Sequence, residues 1–261
     1  MENKLSEYKI ILKGKGKAFV VPSFLTGDFG EDFIEEYNRR VEKDFKGNKI
    51  LSVLNYSNNV VKGSNVYSIV LANRILNEVG LRTATQKDIE DIFENEDLTL
   101  KGFYVDTALC LRDSKEPNRY LAESLTERLG KRKTPLMIPL SSLDLVIDQN
   151  SSSGLNFNLR SDGEIIYAEE LLEQNNKKRF SKTNKSGLPI FDKNGSRTLY
   201  TRDSGLSRVF LNRNSDLYSD DGNLSGSVGD GRVVVCSGDA QKFWSKWFYK
   251  FLYFKTIIII N

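Results

Sequence analysis

The sequence predicts an α+β fold, and three observations carry that expectation. Phe29, Phe33, Tyr37, Val41 and Phe45 recur every four residues, the stripe of an amphipathic helix. From Leu136 onward, short runs of apolar, β-branched and aromatic residues alternate with clusters of Asn, Asp, Ser and Gly, which is strand and turn chemistry. Residues 199–236 hold the clearest strand-turn-strand signal and the densest set of charged and turn residues. The expected arrangement is a helix-rich amino-terminal half with short strands, then a mainly antiparallel β half. Residues 1–240 read as a single compact unit, with Ser151-Ser152-Ser153-Gly154 as the best internal linker and a subdivision point near 150.

Taken in order, residues 8–12 and 18–21 read as strands around Lys13-Gly14-Lys15-Gly16-Lys17, a lysine-rich turn without phosphate-loop spacing. Pro22 ends the second strand. A helix is expected over 28–45, with Glu35, Glu36, Arg39, Arg40 and Lys43 on a solvated face. Residues 50–54 follow as a short strand. Ser64 would cap a helix running to Val79 and stopped by Gly80. Thr85 would cap the next, answered by Asp88 as a short capping box. Residues 103–111 alternate as a strand that carries Asp106, either a ligand or base or simply a hydrogen-bonded acid. Pro117 opens a helix faced by Leu121, Leu125 and Leu129; Gly130 ends it, and Lys131-Arg132-Lys133 complements its negative end.

Residues 136–138, 143–147 and 155–159 read as strands. Asp162-Gly163 is expected to turn a hairpin into 164–167, and 168–174 to form a short helix. Residues 175–186 read as a basic polar loop with one aromatic. In the organising stretch, 199–202 and 206–211 are expected to pair as a hairpin about Asp203-Ser204-Gly205, with Gly205 left-handed. Alternation puts Val209 and Leu211 on one face, Arg208 and Phe210 on the other. A long polar loop then returns through Val233, Val234 and Val235, a strand buried on both faces.

Composition narrows the function. The 261 residues contain no histidine, which removes Ser-His and Cys-His nucleophile pairs, imidazole zinc sites and any histidine base. Cys110 and Cys236 are the two cysteines, and they fit a reducing compartment better than a disulfide scaffold. No secretory signal is evident at the amino end, so the expected location is cytoplasmic. A net charge of +3 permits nucleic-acid contact without arguing for it.

Two residue sets could carry chemistry. Asp216, Asp220, Asp221, Asn223 and Asp230 offer oxygen ligands that would suit Ca²⁺ or Mg²⁺, although the EF-hand spacing is not met and a tight turn with solvated charges is the favored explanation. Arg202, Arg208, Arg213 and Arg232, with Arg197 nearby, offer forked donors for phosphate or carboxylate, or pair with Asp203, Asp216 and Asp230 to fasten the loop. Lys177, Lys178 and Arg179 in the basic loop are the best candidates for nucleic-acid contact, with a plain mobile surface loop as the favored alternative. Residues 241–261 change character: Lys242, Lys246 and Lys250 stripe an aromatic segment that would dock to a protein partner or a membrane surface, or is an unselected tail. The leading expectation is a non-catalytic binding or interaction protein using the polar region 197–232. The alternative is a metal-dependent, carboxylate-based enzyme acting on a phosphate-containing substrate or nucleic acid.

Overall fold

Strand β1 (Ser23–Phe24) leads into helix α1 (Gly27–Phe45), where the four-residue stripe places Phe29, Phe33, Tyr37, Val41 and Phe45 in the core. The structure, a computed structural model, describes residues 21–238. The expected strand at 8–12, the lysine-rich turn, most of 18–21 and the 241–261 segment lie outside the described residues.

A hairpin of β2 (Asn55–Ser57) and β3 (Val60–Lys62) follows, then α2 (Val66–Glu78), β4 (Leu81–Thr83), α3 (Gln86–Asn95), β5 (Val105–Leu111) and α4 (Arg119–Leu129). Strands β6 (Leu136–Pro139), β7 (Leu143–Ile147), β8 (Leu155–Leu159) and β9 (Ile166–Tyr167) come next. Beyond them lie β10 (Arg179–Thr183), β11 (Pro189–Phe191), β12 (Arg197–Thr201), β13 (Leu206–Leu211), β14 (Leu217–Ser219) and β15 (Val234–Ser237). Helices and strands are both well represented, so the α+β class holds. An eight-stranded sheet runs β11-β10-β12-β14-β13-β5-β6-β9, and a three-stranded sheet runs β1-β15-β4. The three-stranded sheet joins strands from the two ends of the described residues, whereas the eight-stranded sheet is built from β5 onward.

Strand β5 is the structural axis, because all seven of its residues are buried. Leu109 and Leu111 face the main apolar cluster with α1, α2 and α4. Ala108 and Cys110 face a second cluster with Phe180, Leu199, Val209 and Leu217. A strand so enclosed on both faces carries the center of the sheet, and its antiparallel partner β13 is buried at every position except Phe210.

Several local expectations need correction. Strands form at both 197–201 and 206–211, but they do not pair with each other. Strand β14 sits between them, parallel to β12 and antiparallel to β13. The cause lies at the turn. Gly205, left-handed as expected at φ +73°, packs so closely that a Cβ would lie 2.5 Å from the Glu116–Pro117 backbone. Its N–H donates to Asp113 and that of Leu206 to the Pro117 carbonyl. Those bonds draw the start of β13 away from β12, and Leu217 fills the gap in the core. The valine run is buried as expected, yet β15 belongs to the three-stranded sheet.

Residues 50–54 make successive turns rather than a strand. The nearby hairpin turns on Asn58 and Asn59, both at positive φ, a signal for the tight turn that matches strand twist. Asn65, not Ser64, caps α2, in a box closed by Ser68. The Thr85–Asp88 box forms as expected. Helix α4 begins at Arg119, two residues after Pro117, with a left-handed Asn118 as its cap. Glu36 is buried on the supposedly solvated face, held by Arg39 and Arg40. Ser151–Gly154 is the turn joining β7 and β8. Strand β9 pairs with β6, not back onto β8. Residues 168–174 give two single 3-10 turns, at Glu169–Leu171 and Glu173–Asn175. The basic stretch 175–186 contains strand β10, anchored by fully buried Phe180 and paired with β11.

Candidate functional site

The register of three adjacent strands builds an aromatic row on one sheet face. Tyr200 of β12 lies opposite Tyr218 of β14, and Tyr218 lies opposite Phe210 of β13. Strand spacing then sets the rings side by side. Tyr200 and Tyr218 stack with centroids 4.5 Å apart, and Phe210 and Tyr218 lie at 5.2 Å with a 30° tilt. All three rings are half-buried, while Leu199, Leu217 and Val209 on the opposite face are in the core. Because the rings stack on one another, they present edges to solvent and spend most of their faces internally. Burial and the Tyr200 ring, with the charges of Asp216 and Asp220, push the Tyr218 hydroxyl above its ordinary range.

A buried cation closes one end of the row. The Arg208 guanidinium lies 4.5 Å from the Phe210 ring and 5.2 Å from Tyr104, an arrangement attractive to both ring faces. It is 5% exposed, and Asp106, 1% exposed, holds it through an Nε–Oδ1 bond of 2.8 Å. Burial pushes the Asp106 carboxyl above its usual range, against the pull of Arg208 and of the Ser64 hydroxyl, which donates to it. Arg208 also donates to the Gly226 carbonyl and faces Asp221. Tyr104 donates to the Ser64 carbonyl and accepts from the Val228 N–H. The network thereby fastens residues 221–231 across the end of the row. At the other end, no ring or cation covers the far face of Tyr200 among the described residues.

The sequence-selected arginines divide between these settings instead of sharing a face. Arg208 is internal. Arg232 is buried against Phe103 and donates to the carbonyls of Gly229 and Gly231. Arg213 is exposed and pairs with Asp230. Arg202 lies beyond Tyr200 and donates to the carbonyls of Ser204 and Asp220. Arg197 is buried in a pair with Glu90, between the rings of Phe93 and Phe180. Lys178 reaches Asn175 and the Phe191 ring. Lys177 and Arg179 are exposed. The backbone of Lys177 donates to Leu199, beside Tyr200, and Arg179 lies opposite Thr198, on the ring face of β12.

The loop acids have separate duties. Asp216 accepts from the Thr198 N–H and Asp221 from that of Asn223. Asp230 meets Arg213, and burial raises the Asp220 carboxyl. Among the described residues no three Asp, Glu, Cys or His side chains gather closely enough to hold a metal ion. No helix among them is long and apolar enough to cross a membrane.

Two functional candidates escaped the sequence. The aromatic row was hidden because Tyr200, Phe210 and Tyr218 belong to strands whose spatial order differs from their chain order. Arg112, 5% exposed, was also hidden. It donates to the hydroxyls of Ser207, Thr201 and Ser219 and to the Leu171 and Ser219 carbonyls, all neutral acceptors. A single arginine at a strand end carries no pattern that separates it from surface charge. Comparison of the chain with protein-family models, curated proteins and solved structures finds no match.

Proposed function

We propose that this is a non-catalytic binding protein that meets its partner through the region 197–232, with the sheet face of Tyr200, Tyr218 and Phe210 as the contact surface. The observation that supports it is the half-exposed aromatic stack, locked at one end by a buried cation and open at the other. A solvated sheet face is served as well by polar side chains; three large rings kept at the surface in fixed register are contact chemistry. The buried charges favor binding over catalysis, since Asp106, Arg208, Arg197, Glu90 and Arg112 are each engaged with internal partners.

Affinity capture from host lysate tests the reading, with wild type compared against Tyr200→Ala, a change at a half-exposed position that leaves the core intact. A component retained by wild type and lost by the variant supports it. Equal retention by both would place the contact surface elsewhere.

A further inference from the structure

The β10–β11 hairpin beside the open end of the stack has a charge that the rest of the sheet lacks. Residues 177–193 carry Lys177, Lys178, Arg179, Lys182, Lys185 and Lys193 against a single acid, Asp192. All six cations are exposed. The hairpin forms the outer edge of the eight-stranded sheet, and the backbone of Lys177 and Lys178 is hydrogen-bonded to Leu199, next to Tyr200. The carboxylates nearest Tyr218 flank β14: Asp216 is spent on the Thr198 N–H and Asp220 lies past the far end of the strand, so the exposed charge on the hairpin side of Tyr200 is cationic.

We propose that this corner takes single-stranded nucleic acid, with one base on the free face of Tyr200 and adjacent phosphates against Lys177, Arg179 and the hairpin lysines. The proposal rests on the binding reading above and names its ligand. Phe210 and Tyr218 have their faces occupied by Arg208 and by each other, so the stack can be extended only at Tyr200. A planar base extends it in the same geometry, and base–aromatic stacking tolerates any sequence. A duplex cannot offer such a face without unstacking, which selects the single strand. An open corner with exposed cations on one side suits a strand that runs on past the ring.

Lysines on an edge strand also guard against sheet-to-sheet association, and the test separates the two roles. Fluorescence anisotropy of a labeled oligothymidylate of about twelve nucleotides is measured with the full chain between about 50 and 200 mM salt. The expected result is saturable binding whose log–log salt slope is about −2, as for three phosphates on a single strand. Lys177→Glu with Arg179→Glu abolishes it, Tyr200→Ala weakens it about ten-fold, and Tyr200→Trp restores it. Circular dichroism confirms that each variant is folded. No binding at the lowest salt overturns the proposal. So does binding that Tyr200→Ala leaves unchanged, or equal affinity for the duplex, since either means bulk charge attraction. If oligonucleotides fail while a nuclease-insensitive component is still captured through Tyr200, the ligand class falls and the binding face stands.

Discussion

Removing the Asp106 carboxylate leaves Arg208 as a buried cation between two rings. In Asp106→Ala the guanidinium keeps the Gly226 carbonyl and Asp221, the latter 3.7 Å away and partly in water. It loses the short double contact with Asp106, and Ser64 loses its acceptor. Breaking one side of a buried ion pair costs about 3–5 kcal/mol, most of it the unpaired charge. Asp106→Asn preserves an oxygen toward Arg208 and is expected to cost less, about 1.5–3 kcal/mol. The double variant Asp106→Ala with Arg208→Met removes both charges and is expected to be more stable than Asp106→Ala alone. Urea unfolding followed by far-ultraviolet circular dichroism measures all three together with Arg208→Met alone, which completes the cycle, and hydrogen exchange reports whether 221–231 opens first. If Asp106→Ala loses less than about 1 kcal/mol, or the double variant loses the sum of the singles, Asp106 is not what holds Arg208 against Phe210.

Three further outcomes follow from the geometry. Burial alone would raise the Asp88 carboxyl, but Arg82 and the Thr85 cap hold it below its ordinary value of 3.8. Its contribution is therefore present above that value and lost as pH falls through the range beneath it. Asp88→Ala is expected to cost about 1 kcal/mol at neutral pH and to flatten the acid limb of a stability–pH titration. A Cβ on Gly231 would lie 2.6 Å from the Tyr104 hydroxyl and 2.7 Å from that of Ser64. Gly231→Ala should lower stability by about 1–3 kcal/mol and speed amide exchange in 226–231. Burial pushes the Cys236 thiol up to about 12 and raises Cys110 as well. Neither should react with iodoacetamide at pH 8 in the folded protein, and both should react in urea.

What the sequence made legible was whatever depends on near neighbors along the chain. The stripe of α1, the Thr85–Asp88 box and the strands at 143–147 and 155–159 are decided within a few residues, and each appears where expected. Strand pairing is decided by distant partners. Nothing local to residues 197–211 announces that Leu217–Ser219 will insert between two consecutive strands, so the hairpin expectation failed although both strands formed. The same long-range choice created the aromatic row and joined Arg208 to Asp106, 102 residues apart. Lys177 and Arg179 stood out by charge, but their place beside Tyr200 depended on 175–186 containing a strand. Its sign was Phe180 flanked by Arg179 and Ser181, an alternation too short to outweigh the surrounding lysines.

Site-specific photo-crosslinking tests the central claim most directly. A photoreactive phenylalanine analog replaces Tyr200 in one protein and Glu94, exposed on α3, in another. Both are illuminated in host lysate with and without nuclease. The binding reading expects discrete adducts at position 200 and background at 94, with nuclease shortening the adducts if the bound strand is nucleic acid. Background at both positions, or the same adducts at both, would contradict the assignment of this sheet face as the contact surface.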